Sequence, residues 1–390
     1  MKPLASRTDA LRQSDIRAVT FAVNRVNGIN LGQGICDLPT PDAIKREAIA
    51  AIEGDQSIYT AYNGIKRLRQ PILEKARSFN NLPATNDSEV MVSVGSTGAF
   101  VSTVLALCEP GDEVILFEPF YGYHIGILRL LGVMPVSVPL SGDGWTVDFD
   151  AIRAAISEKT KAVLVCTPAN PTGKMWTWDE LAELLEILQQ HDLWAITDEI
   201  YEYMTYDGRE HVSLGSLHDA FERTITLSGF SKTFNMTGWR LGYAIGPEPV
   251  LEKMGLVNDL MYICAPAPLQ YGVADALPMQ QSYYDQMLAD YTAKRKLMCE
   301  TLEACGFDVT WPEGAYYVFA NFERLSSERP GFSDDREATN TLIERAGVAC
   351  VPGNSFFSNR EDGRYFLRFC YAKEMDVLET ACAKLTQAFV

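Results

Sequence analysis

In the stretch Ser228–Tyr243, SGFSKTFNMTGWRLGY, one lysine stands among small residues and an arginine follows eight positions later. The amine of Lys232 becomes a nucleophile when burial or neighbouring cations lower its pKa. The guanidinium of Arg240 is a planar fork that suits a phosphate or a carboxylate. The nearby Ser and Gly residues let a ligand approach the backbone. Two solvated cations on a surface loop would give the same letters, so the stretch needs support from the rest of the chain.

That support comes from where other chemically capable residues fall. From about residue 42, short apolar runs alternate with helical periodicity. This pattern predicts an α/β fold, a mostly parallel sheet covered on both faces by helices. The predicted strands include EVMVSVG (89–95), EVILFEP, VMPVSVPL, KAVLVCT (161–167), LWAITDE and RTITLS (223–228). Ligands of such sheets bind beyond the carboxyl ends of the strands. Ser96, Thr97 and Gly98 open the helix after the first run, where free N–H groups and the helix dipole attract an anion. Plain N-capping would use the same residues. Tyr121 and Tyr123 follow EVILFEP and offer an aromatic face. Asn170 follows KAVLVCT in a PTG turn, and Asp198 and Tyr201 follow LWAIT. An acid at such a strand end is costly to bury unless paired. Lys232 and Arg240 follow RTITLS. Together these groups meet the needs of a planar, phosphorylated, aldehyde-bearing pyridine.

Other elements frame this set. Residues 1–40 read as an N-terminal arm, whose Gly32 and Gly34 mark irregular backbone able to line a pocket. Residues 41–280 read as a large domain. Thr177 and Glu180 form a capping box that opens the helix ending near Gln190. A long helical pattern from about 281 to 305 introduces a smaller α+β domain spanning residues 281–390.

Composition narrows the function. The chain has 390 residues and a formal net charge of −17, which argues against nucleic acid as a partner. No apolar run approaches the ~18 residues needed to span a bilayer, and charges interrupt the N-terminus, so no signal peptide is expected. The nine cysteines are scattered without C-x-x-C spacing, which predicts reduced thiols and a cytoplasmic setting. The four histidines show no H-x-x-x-H pattern, so no metal is expected.

The motifs Tyr59-x4-Gly64, GSTGA (95–99), EPFYGY, NPTG (170–173), DEIY (198–201), SK-x7-R (231–240) and Arg368 in YFLRFCYA occur in that order. In this the chain resembles the class I/II aminotransferases, fold-type I enzymes dependent on pyridoxal 5'-phosphate, over nearly its whole length. The resemblance implies a Schiff base between Lys232 and the cofactor, with the freed amine as general base and acid. It implies that Asp198 pairs with the pyridine nitrogen and that Tyr201 and Asn170 bind the phenolic oxygen. Tyr121 would stack on the ring, and Ser96, Thr97 and Arg240 would hold the phosphate. Tyr59 would reach the phosphate of a neighbouring subunit, giving a homodimer with shared sites. Arg368 would grip the substrate α-carboxylate, with Asn170 and Gly34 also at the substrate.

Two positions depart from the family pattern. Gly229 stands where a serine is frequent, and Ser228 and Ser231 are expected to compensate at the phosphate. Thr97 stands where one acid-specific branch has a lysine. With Ile35, Tyr62, Tyr121, Tyr123, Phe356 and Phe357 expected near the substrate, a neutral or aromatic amino acid is favoured, with a 2-oxo acid such as 2-oxoglutarate as acceptor. A β-lyase on the same scaffold is the alternative, and a non-catalytic regulator is disfavoured by the acidic charge and the short N-terminal arm.

Overall fold

Apolar runs buried on both faces form a seven-stranded sheet in this computed structural model, which describes residues 8, 15–34, 36–142 and 144–390, with side chains from residue 18 onward in the first helix. The strands lie in the order Val90–Val94, Leu241–Ile245, Thr224–Gly229, Trp194–Asp198, Thr160–Cys166, Glu113–Glu118 and Met134–Pro139. Leu241–Ile245 is antiparallel to both neighbours, and the other pairs are parallel. The predicted strands are therefore found within a residue or two of their expected ends.

Alternate residues feed two cores. Ile115, Phe117, Val163 and Val165 pack beneath the helix Trp178–Gln190. Val114, Leu116, Leu164 and Ile196 pack beneath the helix Gly95–Leu107. This period of two is what a sheet buried on both faces requires. The Trp178–Gln190 helix starts at the expected capping box. Thr177 Oγ1 accepts from Glu180 N at 3.2 Å, and Thr177 N donates to Glu180 Oε2 at 2.9 Å.

The reversed strand decides the site. Because Leu241–Ile245 runs against its neighbours, Arg240 just before it lies at the carboxyl end of the parallel strands. Val94 pairs with Leu241, so the helix start at Gly95 lies beside the same arginine.

A four-stranded antiparallel sheet follows, in the order Val351–Pro352, Phe366–Cys370, Tyr317–Asn321 and Asp308–Val309. The helices Gln281–Ala304 and Met375–Phe389 pack on one another beside it. In the described part of the arm, Ile29 and Asn30 pair in parallel with Val348 and Ala349. Val19 and Val23 of the helix Asp15–Arg25 pack with Ile343 and Ala349. These two-residue strands, and the short helix Glu323–Glu328, are too brief to leave a periodic signal.

A buried polar network ties the sheet together behind Asp198. Glu202 pairs with Lys75 and accepts from Ser228 Oγ at 2.7 Å, Asn80 Nδ2 at 2.8 Å and Tyr243 OH at 3.3 Å. Glu199 accepts from Thr197 Oγ1 at 2.9 Å and meets His211 Nε2 at 2.7 Å. Burial pushes the Glu202 carboxyl up, yet Lys75, His211 and Asn80 together hold it below the usual range. Ligand atoms of Glu199, Glu202 and His211 lie within 4.8 Å of one another, but the Lys75 ammonium already supplies the cation there.

The same network corrects one expectation. Ser228 turns its hydroxyl to Glu202, away from the phosphate position it was expected to serve. Its neighbour Gly229 pairs with Gly242, and a Cβ there would lie 2.9 Å from Gly242 Cα and 3.1 Å from Leu241 O. Gly229→Ser should therefore lower stability by about 1–3 kcal/mol through backbone crowding. Urea unfolding of the variant checks this, and an unchanged midpoint would show that the strands part at no cost.

Candidate active site

At the carboxyl ends of the parallel strands lies a cavity of about 310 Å³. It is lined by Ser96, Thr97, Tyr121, Asn170, Asp198, Tyr201, Lys232, Arg240, Arg368 and Gly34, among others. The structure thus brings together the residues assigned to the cofactor and the α-carboxylate except Tyr59, which is 76% exposed and does not line the cavity.

The anion end is built from the helix start and the reversed strand. The helix Gly95–Leu107 begins without a side-chain cap, so the plain capping role of Ser96 and Thr97 is not used. Its first N–H groups remain available to an anion. Arg240 is exposed, adopts a left-handed backbone with φ 57°, and donates from Nη1 to Thr237 O at 2.9 Å. Gly95 takes φ 70°, a left-handed backbone that favours glycine, and it lies against the Arg240 guanidinium.

Asp198 ends its strand buried. Its Oδ2 lies 3.0 Å from His124 Nε2, and its Oδ1 accepts from Ile200 N at 3.3 Å. His124 in turn meets the Tyr121 ring edge-on, with centroids 5.3 Å apart. Burial raises the Tyr121 and Tyr201 hydroxyls above their ordinary pKa, so both stay protonated. The Lys232 amine donates to Gly34 O at 3.2 Å. Burial lowers its pKa from 10.5 to about 8, with a further downward push from Arg368.

Arg368 reaches the cavity from the small sheet. It is 1% exposed, stacks on the Tyr317 ring at 4.4 Å, and donates to Asn170 Oδ1 at 2.8 Å and Gly32 O at 2.7 Å. Its Nε has no partner, and no carboxylate of the described residues pairs with it. A buried, uncompensated guanidinium is costly, and it marks a place for an incoming anion.

Several sequence expectations find another place. Tyr62 packs on Gly255 rather than in the cavity, because its segment lies against the helix Glu248–Tyr262. Phe356 is buried behind Arg368, and Phe357 lines a separate cleft near Phe319. Of the expected aromatic lining, Tyr121 and Tyr123 reach the cavity, whereas Ile35 lies outside the described residues. Ser231 lines it as expected. Sequence reasoning missed Tyr317 in the cavity wall and His124, which stands behind Asp198. Tyr317 sits in a run legible only as a strand, and His124 follows the EPFYGY motif without any spacing signal of its own.

The arrangement offers a depressed-pKa amine, a buried carboxylate, an uncapped helix start and two guanidiniums around one cavity. No helix of the described residues is long and apolar enough to cross a membrane. The family described as "Aminotransferase class I and II" matches residues 26–385. An aspartate aminotransferase of Pyrococcus abyssi is 34% identical over 98% of this chain and 97% of its own length. An aromatic-amino-acid aminotransferase of Thermococcus litoralis is 32% identical over 98% and 97%. The solved structure of N-succinyldiaminopimelate aminotransferase from Mycobacterium tuberculosis superposes with a TM-score of 0.93 at 32% identity, covering 99% of this chain and 100% of that one. The chain therefore belongs to the class I and II aminotransferases, enzymes that use pyridoxal 5'-phosphate to move an amino group between an amino acid and a 2-oxo acid.

Proposed function

We propose that this chain transfers the amino group of a neutral or aromatic L-amino acid to a 2-oxo acid such as 2-oxoglutarate, with Lys232 as the covalent anchor of the cofactor. The observation that carries the proposal is one cavity holding both a lowered-pKa amine and a buried guanidinium that lacks an anionic partner. The donor set fits the cofactor. The uncapped helix start, Ser96, Thr97, Ser231 and Arg240 suit its phosphate, and Tyr121 offers a ring face. Asp198 suits the pyridine nitrogen. Tyr201 and Asn170 suit the phenolic oxygen; because Asn170 Oδ1 is taken by Arg368, its amide NH₂ is the half left to donate. Bound there, the cofactor supplies an electron sink for the pair left at the substrate Cα when its proton departs.

The chain does the rest. Lys232 Nζ takes the Cα proton and returns it, a role suited to a pKa of about 8. Asp198, oriented by His124, keeps a proton on the nitrogen that faces it. Arg368 takes the α-carboxylate with two parallel N–H groups. Arg240 and Arg368 are then both committed, and no other arginine of the described residues lines the cavity. That favours a substrate side chain without a second carboxylate, set against Tyr121, Tyr123 and Tyr317.

The exposure of Tyr59 suits a role in a neighbouring subunit. Ile58 beside it is 79% exposed, and Leu260 on the adjoining helix is 89% exposed. Such an apolar surface supports a homodimer. All nine cysteines are free, which supports a reducing, cytoplasmic setting.

Mixing the loaded enzyme with single amino acids, without any oxo acid, tests the transfer. The expected outcome is loss of the visible band in favour of a near-ultraviolet one, with neutral or aromatic donors reacting fastest. Steady release of ammonia and an oxo acid instead would assign a lyase. Lys232→Ala should retain the cofactor non-covalently and lose nearly all turnover; substantial turnover would remove Lys232 from its role. Arg368→Ala should raise KM for both substrates more than tenfold while leaving cofactor affinity near that of the parent, since it removes a charge-assisted fork. A drop mainly in cofactor affinity would reverse the assignment of the two arginines. In the cofactor-free protein, Lys232 is protonated below about pH 8 and free above it. Its acylation by an amine-selective reagent, followed by peptide mapping, should therefore rise with a midpoint near 8, well below that of exposed lysines.

A further inference from the structure

Tyr317 opens the strand Tyr317–Asn321 of the small sheet and is 2% exposed. Its hydroxyl lies 3.1 Å from the Tyr201 hydroxyl, and its ring carries the Arg368 guanidinium at 4.4 Å. A Cβ on Gly34 would collide with the same hydroxyl. One side chain thus touches the large-sheet tyrosine, the small-sheet arginine and the arm.

We infer that Tyr317 is a positioning residue with two separable duties: its hydroxyl donates to Tyr201 and aims the Tyr201 proton into the cavity, and its ring levels Arg368 for a carboxylate. The first duty follows from counting hydrogens. Each tyrosine hydroxyl has one proton and two acceptor lone pairs. Within the pair, one hydroxyl must donate to the other, and the acceptor keeps its own proton free for a third group. The Tyr316 hydroxyl also reaches both, but its own proton goes to Gly34 O at 3.1 Å, so it offers the pair an acceptor rather than a donor. If Tyr201 donated to Tyr317, it would have nothing to offer an anionic oxygen beside it. With Tyr317 as donor, Tyr201 keeps its proton for that oxygen. A hydroxyl that accepts a bond also becomes a better donor. Burial keeps both phenols protonated, so the order of donation is not lost by ionisation near neutral pH.

The second duty follows from the stack. The guanidinium is fixed in-plane by Asn170 and Gly32 and from one face by the Tyr317 ring. The Phe356 ring lies 5.1 Å from it as well. A cation held on an aromatic face gains attraction that an aliphatic side chain does not give.

The inference rests on the proposed place of the cofactor's phenolic oxygen beside Tyr201, and three variants separate the two ideas. The readouts are the pH titration of the visible absorption of the loaded, substrate-free enzyme, and the division of any kinetic loss between kcat and KM. Tyr201→Phe removes the direct donor and should move the spectral pKa upward the most. Tyr317→Phe keeps the ring and should move it upward by about half a pH unit, less than one neutral hydrogen bond is worth, with KM unchanged. Tyr317→Leu should add a rise in KM of about tenfold. If Tyr201→Phe shifts the titration and Tyr317→Phe leaves it in place, the donor role of Tyr317 is overturned while the site assignment stands. If neither shifts it, the placement of the phenolic oxygen fails and the relay with it. If Tyr317→Phe raises KM as far as Tyr317→Leu, the separation of ring and hydroxyl duties is wrong.

Discussion

Three cations, Lys232, Arg240 and Arg368, line one cavity with a single carboxylate, Asp198. Everything else around the site bears on keeping that imbalance. In a chain of net charge −17, the cavity is locally positive. It can therefore draw amino acids, oxo acids and a phosphate through a field that would otherwise repel them. The excess is tolerated because each cation is held differently. Arg240 is exposed to solvent, Arg368 is spread over two carbonyl oxygens and an aromatic face, and Lys232 sheds its proton at a pKa of about 8.

The reversed strand makes the arrangement possible. A seventh parallel strand would carry Arg240 to the opposite edge of the sheet, far from the helix start at Gly95. Running Leu241–Ile245 backwards after the short Lys232 turn places both ends of the turn at the same edge. The close packing this demands explains two glycines: a Cβ on Gly229 would crowd the Gly242 backbone, and one on Gly242 would crowd the backbone of Gly95 and Ser96.

Much of this was legible in the sequence because strand ends are legible. Buried runs announce where parallel strands stop, and Asn170, Asp198 and Lys232 follow such stops directly. What period and spacing cannot show is which way a side chain turns once the strand is fixed. Ser228 and Gly229 are neighbours, yet alternation along the strand sends the serine to Glu202 and the glycine to the other face. Tyr62, Phe356 and Phe357 stand near family motifs in sequence but pack elsewhere, because tertiary contacts with Gly255, Arg368 and Phe319 claim their rings. Tyr317 and His124 act through contacts with residues more than seventy positions away, at separations where a single sequence holds no register. The relatives named above are aminotransferases of different amino acids at nearly the same identity, so overall likeness does not choose among them.

Lys75 and Lys232 show how the fold sorts two buried amines. Lys75 meets a carboxylate, Glu202, and its charge is used to neutralise the network behind the sheet. Lys232 meets no carboxylate at bonding distance: it donates to the carbonyl of Gly34, at 3.2 Å, and lies over the rings of Tyr201 and Tyr316. A neutral acceptor at that distance compensates little of the cost of burying an ammonium. The nearby Arg368 adds repulsion, and the proton becomes easy to lose. Had Glu199 or Glu202 turned toward the cavity instead of toward Lys75 and His211, Lys232 would keep its proton and be a poor nucleophile. The buried acids behind the strand and the uncompensated amine in front of it are therefore two sides of one charge separation across the sheet.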